Sequence, residues 1–290
     1  MRKYDVIFFD WDGTAVTSRA APVYTVAKAM APLLSGGVKL VVISGTSLDR
    51  IAGGKLACRF SPMHRRNLFF GLGRGARNFG FDAEGNLIDL PGIIVSREDT
   101  LALHRVCFGF HEKLLNDYGV NTDILFNRES YCKIDVGADI CVEGRAFLTA
   151  GDLKKVNDCF ASHGYYGGLR GLLAMAEFLG RVHGLALKAT TDGKHIEVGY
   201  GTKSDNVDAI LSHLEPAAGG CLSCCFWGDE FMEMDAGVYG SDSYMITEKS
   251  RGYDFFDVSD VAGRRPEPVV RLGGDVERFL SFLHEQALLL

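Results

Sequence analysis

The residues best suited to chemistry stand in the opening stretch YDVIFFDWDGTAV, residues 4–16, where Asp10 and Asp12 flank Trp11. Side chains alternate along a strand, so positions two apart share a face. If that geometry carries past the end of the apolar run, two carboxylates converge there. Such a pair is costly without a positive partner, and a divalent cation is the obvious one. Later apolar runs end in the same way. Ser44-Gly45-Thr46 follows KLVVI, Asp229-Glu230 follows CCFW, and Lys203 in GYGTKSDNVDAI precedes an expected helix. Carboxylates, a hydroxyl beside free backbone amides and a lysine suit phosphoryl transfer, where catalysis is largely positioning and charge neutralisation.

These groups meet only if the strands carrying them run parallel in one sheet, because ligands of doubly wound sheets sit at the carboxyl ends of the strands. The sequence supports this. YDVIFF reads as a strand, TVAKAMAPLLSGG as a helix interrupted by Pro32, and VKLVVIS as a buried strand. SLDRIAGGKLA reads as a helix and RRNLFFGLG as a third strand. The order is that of a parallel, doubly wound α/β sheet.

The character then changes. NFGFDAEGNLIDL reads as a hairpin turning at Glu84-Gly85-Asn86, and REDTLALHRVCFGFHEKLLNDYG as a long amphipathic helix closed by Gly119. DILFN and YCKIDVG read as strands, GDLKKVNDCFASHG and LLAMAEFLGRVHG as helices, and LALKATTDGKHIEVG as a second hairpin turning at Asp192-Gly193. CCFWGDEF, SYMITE and YDFFDVSD return to short strands of the parallel type. The expectation is a core of residues 1–80 and 199–290, interrupted by an α+β unit over 81–198.

Composition bounds the function. The 290 residues are 47% hydrophobic and 23% charged, as in an ordinary globule. A net charge of −6 argues against nucleic acid or an anionic membrane surface as the main partner. No apolar run has the length of a membrane span and no signal peptide precedes the first strand, so a cytoplasmic location is expected. The eight cysteines are irregularly spaced, which argues for reduced thiols rather than a disulfide framework. Cys221, Cys224 and Cys225 in CLSCC have no second ligand pair and read as buried structural thiols. His104 and His111 share a helical face and read as packing residues.

FFDWDGTA resembles the D-x-D-G-T motif of the haloacid dehalogenase superfamily of phosphatases and phosphomutases. VVISGT is similar to its second motif, Lys203 to its third, and WGDEFMEMD to its acidic fourth. All four occur in the family's order. The insertion between the second and third motifs resembles the large α/β cap of the Cof-type, sucrose-phosphatase, trehalose-phosphatase and phosphomannomutase branches. The resemblance implies Asp10 as nucleophile, Asp12 as general acid and base, and Ser44, the Gly45 amide and Lys203 as phosphate ligands. It implies Mg2+ held by Asp10, the Asp12 carbonyl and Asp229. The family spacing puts the outer metal ligand at Glu233, with Asp235 two residues further on as the alternative.

The implied reaction is magnesium-dependent hydrolysis of a small phosphorylated metabolite, a sugar phosphate by preference. A phosphomutase would keep the same four motifs, and an idle binding module on the same core is the alternative of another class. Taken singly, Asp10 and Asp12 would pass for a solvated turn, Ser44 for a helix cap near Asp49, and Lys203 for a surface lysine. The G-x-G-x-x-A run from Gly71 imitates a dinucleotide fingerprint, but it leads into a hairpin and reads as a loop. Arg74 within it faces the substrate if the resemblance holds. Asp242, in YGSDSYM, is a weaker candidate for supporting the metal shell.

Overall fold

The computed structural model describes residues 2–18, 20–128, 130–137, 150–215 and 222–290. In chain order these form β1 (Val6–Asp10), α1 (Tyr24–Ser35), β2 (Lys39–Ser44), α2 (Pro62–Arg65), β3 (Leu68–Leu72), β4 (Arg77–Phe81) and β5 (Leu87–Leu90). Then come α3 (Arg97–Tyr118), β6 (Asp123–Leu125), β7 (Tyr131–Asp135), α4 (Ala150–Ser162), α5 (Gly168–Val182), β8 (Lys188–Thr191) and β9 (His195–Gly199). The chain ends with α6 (Lys203–Leu214), β10 (Cys224–Gly228), β11 (Glu233–Asp235), β12 (Val238–Tyr239), β13 (Asp254–Asp257), β14 (Val269–Arg271) and α7 (Asp275–Ala287).

One sheet has the order β14-β13-β10-β1-β2-β3-β4-β5. Its strands are parallel from β14 to β3, and β4 and β5 add an antiparallel edge. The central strands are continuously apolar because both faces are covered. Ile7 and Phe9 of β1 join Leu40, Val42, Trp227 and the helices α1 and α7 in one core. Val6 and Phe8 point the other way, with Val41, Ile43 and the α6 residues Val207, Ile210 and Leu211. The same alternation buries Trp11 in the first core, which explains an aromatic residue between two acids.

The second sheet is wholly antiparallel, in the order β6-β7-β9-β8. Cys132, Ile134, Ile196 and Val198 face α3 and α5 in a core of their own. The polar residues between them, Tyr131, Lys133 and Glu197, turn the opposite way, toward the carboxyl ends of the large sheet. Helix α3 starts on a reciprocal cap between Ser96 and Asp99 and stops at Gly119 in the left-handed conformation (φ 66°).

Three expectations are corrected. Strand β5 pairs with β4, so the hairpin expected to open the inserted unit at residue 81 is the edge of the large sheet, and the four-stranded sheet begins only at Asp123. SLDRIAGGKLA forms three short 3₁₀ turns instead of a helix, because Ala52, Gly53 and Gly54 all take positive φ (52°, 62° and 73°). SYMITE is not a strand: Ser241–Met245 is a 3₁₀ turn. Cys221 lies outside the described residues, whereas Cys224 and Cys225 are buried in β10 as free thiols. Among the described residues no helix is long and apolar enough to cross a membrane.

Candidate active site

Asp10 is the last residue of β1 and 7% exposed. Its Oδ1 accepts a hydrogen bond of 2.6 Å from the Lys203 ammonium. Lys203 is the first residue of α6 and reaches the site because the helix is anchored there. The Thr202 hydroxyl accepts from the Ser204 amide, and Asp205 accepts from the Thr202 amide. The same ammonium donates to Asp242 Oδ1 at 2.6 Å. Asp242 is fully buried, and its Oδ2 accepts from the amides of Asp229 (2.9 Å) and Glu230 (2.8 Å) just past β10. A side chain at Gly228 would lie 2.3 Å from that oxygen, so glycine is required there. Asp229 Oδ1 accepts from the Thr14 hydroxyl at 2.8 Å, which joins the β1 loop to the β10 loop.

The remaining sequence candidates sort themselves around this centre. Asp12 lines the same cavity from the tight turn after β1, where Gly13 takes φ 89°. Ser44, at the end of β2, lines it together with Gly45, and the Ser44 hydroxyl lies 3.4 Å from the Thr46 amide. Glu233 does not reach the centre. Its carboxylate accepts from the Gly237 amide and pairs with Arg264, inside the β11–β12 hairpin. Asp235 is likewise engaged elsewhere, with the Ala236 and Arg170 amides. The third carboxylate at the centre is Asp242, which family spacing alone does not single out.

Electrostatically the site holds too much negative charge. Asp10, Asp242 and Glu230 act on one ammonium, and Asp229 adds a fourth carboxylate beside Asp10 and Asp242. Burial, with Asp242, Asp10 and Glu230 nearby, pushes the Asp229 carboxyl well above its ordinary range. Burial does the same to Asp10 although Lys203 pulls it down. Glu230 rises from 4.5 to about 7, first through burial and then through Asp242. For Lys203, burial disfavours the charged form, but Asp10, Asp242 and Glu230 outweigh it and hold the ammonium well above its ordinary range.

A divalent cation would relieve this imbalance. Among the described residues no three His, Cys, Asp or Glu side chains form a metal cluster. Magnesium does not need one, since it takes one or two carboxylates and keeps several waters. The side chains of Asp10 and Asp229 with the main-chain carbonyl of Asp12 are a donor set of that kind.

Above the centre lies a cavity of about 500 Å³. Its roof is the polar face of the four-stranded sheet. Lys133 is in contact with Glu197 and lies 3.4 Å from Asp192. Arg74 reaches Glu197 at 3.4 Å from the large-sheet side. Arg74 has φ 56° between Gly73 and Gly75, which also have positive φ, so the loop that imitated a dinucleotide fingerprint turns a buried guanidinium into the cavity. Burial opposes ionisation of Glu197, but Lys133 and Arg74 prevail and hold it below the usual carboxylate range. Tyr131 donates to the Gly45 carbonyl at 2.7 Å, and Ser130 to the Gly73 carbonyl at 2.7 Å, which fastens roof to floor. Sequence reasoning missed Tyr131, Lys133, Thr190, Asp192 and Glu197. The available signal was the polar set at 131, 133 and 135, alternating with apolar 132 and 134.

No family model matches the sequence, and neither does any curated protein. Solved structures do match. A doubly wound sheet with a four-stranded antiparallel unit inserted between β5 and α6 is the haloacid dehalogenase-type fold, and this chain has that fold. An N-terminally truncated, IMP-bound IMP-nucleotidase of Plasmodium falciparum superposes with a TM-score of 0.58 at 14% identity, over 99% of this chain and 69% of that one. Another structure of the Plasmodium falciparum IMP-nucleotidase gives 0.50 at 15% identity over 78% of this chain, and the match spans only 54% of that chain. A trehalose-6-phosphate phosphatase-related protein gives 0.50 at 14% identity, over 98% and 97% of the two chains.

Proposed function

We propose that this chain is a magnesium-dependent phosphatase that hydrolyses a small sugar phosphate through an aspartyl-phosphate on Asp10. The observation that carries the reading is the ion pair of Asp10 with Lys203, buried beside Asp229 on the floor of a cavity. Asp10 attacks phosphorus and the ester P–O bond breaks, while Asp12 gives a proton to the departing oxygen. Water then attacks the acyl phosphate, passes a proton to Asp12, and releases inorganic phosphate with Asp10 restored. Ser44 and the Gly45 amide bind the phosphoryl oxygens, and Lys203 offsets charge between Asp10 and the phosphoryl group. Magnesium on Asp10, Asp229 and the Asp12 carbonyl supplies charge neutralisation between carboxylate and phosphate.

The roof supports a hydroxyl-rich leaving group. Lys133, Thr190, Asp192 and Glu197 supply both donors and acceptors, and Tyr131 and Tyr244 add rings to the cavity wall. About 500 Å³ suits a small metabolite. The test is a panel of sugar phosphates and nucleoside monophosphates, with phosphate release measured with and without magnesium. Magnesium-dependent release from sugar phosphates is the expected result. No release from any ester overturns the phosphatase reading, and release from nucleotides alone overturns the sugar phosphate.

A further inference from the structure

Helix α3 lies on the side of the four-stranded sheet away from the cavity, and buries Leu103, Val106, Cys107, Phe110 and Leu114 against it. Its outer side is not simply polar. Leu101, Phe108 and Leu115 are 45%, 51% and 43% exposed. Residues seven apart return to nearly the same angle on a helix, so the three form one stripe roughly 21 Å long. The stripe widens at the edge strand β6. The Phe126 ring, itself exposed, sits 4.6 Å from the His104 ring beside Phe108. Exposed apolar side chains aligned on one face, with complementary charges beside them, are the composition of an interaction face.

The stripe is symmetric about its centre, and the charges beside it are opposite. Exposed Arg105 and Glu112 lie on the same flank of the stripe, one on each side of Phe108 along the axis. If two copies of the helix lie antiparallel across a two-fold axis at Phe108, Leu101 meets the partner subunit's Leu115. Phe108 meets the partner subunit's Phe108. On the flank, Arg105 meets the partner subunit's Glu112, and symmetry makes that pair twice. Parallel pairing would instead carry the partner subunit's Arg105 and the partner subunit's Glu112 to the opposite flank of the seam, beside His104 and His111, and form neither pair. Flanking charges select orientation in paired helices, and a self-complementary patch is what a two-fold dimer requires.

We propose that this face of α3, continued onto Phe126, is the interface of a homodimer with antiparallel α3 helices. The cavity opens on the other side of the sheet, so the pairing leaves it accessible. The inference goes beyond the proposed reaction and does not depend on it.

The test is sedimentation velocity on the full chain across a concentration series. The wild type is expected as a dimer that dissociates on dilution, and Phe108→Asp as a monomer with an unchanged circular dichroism spectrum. Arg105→Glu and Glu112→Arg each turn two attractive pairs into repulsive ones and should weaken the dimer roughly tenfold. The double swap, Arg105→Glu with Glu112→Arg, should restore it. A wild type that remains monomeric at the highest soluble concentration overturns the proposal. So does a dimer unaffected by Phe108→Asp, or single swaps that the double swap fails to rescue.

Discussion

Replacing Glu230 with Gln removes one of three carboxylates acting on the Lys203 ammonium, while keeping an oxygen to accept the Ser241 hydroxyl. The Glu230 carboxyl rises from 4.5 to about 7 in the folded protein, through burial and the neighbouring Asp242. A group whose folded value lies above its unfolded value favours folding while protonated, below about 4.5, and loses that contribution as pH climbs through about 7. The interval corresponds to about 3 kcal/mol of stability withheld from the metal-free protein above pH 7. In a chain of this size that is roughly 5–10 °C in melting temperature. Thermal melts in a chelator from pH 4 to pH 8 should therefore show Glu230→Gln superimposed on wild type at the acid end and more stable at the alkaline end. Saturating magnesium should narrow the gap, because a cation offsets the same repulsion. A variant no more stable than wild type at pH 8, or one offset equally at every pH, refutes the electrostatic reasoning.

Asp10→Asn should abolish magnesium-dependent phosphate release with the fold intact, since an amide does not attack phosphorus; turnover by the folded variant rejects the covalent step. In magnesium titrations by calorimetry, Asp229→Asn should weaken binding at least tenfold, and Asp242→Asn by roughly ten- to a hundredfold. Glu233→Gln should leave binding unchanged, because its carboxylate is engaged with Arg264; the opposite order would restore the ligand that family spacing favours. Tyr131→Phe strips the Gly45 carbonyl of its donor, which at about 1 kcal/mol should lower kcat/KM roughly fivefold in steady-state assays.

Asp10, Ser44 and Asp229 were legible because each ends or directly follows a buried strand whose continuous apolar run is itself unmistakable. The run fixes where the strand stops, and the parallel sheet then brings the stops together. Asp242 was obscured because its role depends on a loop that doubles back after Asp229, closing with the Asp242 amide on the Glu230 carbonyl at 3.2 Å. The small β11–β12 hairpin lies inside that loop and carries Glu233 away from the centre, so spacing from Asp229 misleads. The segment SLDRIAGGKLA has helical apolar spacing, but paired glycines break it into short turns, a case where backbone freedom defeats periodicity. Tyr131, Lys133 and Glu197 lie on strands with regular alternation, yet alternation says only that two faces differ. Which face looks onto the cavity is set by tertiary docking, through Tyr131 on Gly45 and Ser130 on Gly73.

The two ends of the cavity divide recognition by charge. On the floor, carboxylates outnumber the single ammonium, so a divalent cation would offset the excess negative charge. On the roof, Arg74 and Lys133 are matched by Glu197 and Asp192. A balanced roof exerts little net pull on a phosphate, so under the proposed function a phosphorylated ligand would enter phosphate-first and leave its organic part to the roof. There the paired charges remain fixed dipoles. Glu197, held below the usual carboxylate range by Lys133 and Arg74, stays an acceptor at every physiological pH, whereas Glu230 on the floor titrates near neutrality. Under the proposed function, orientation would thus follow from charge at one end, and discrimination from hydrogen-bond geometry at the other.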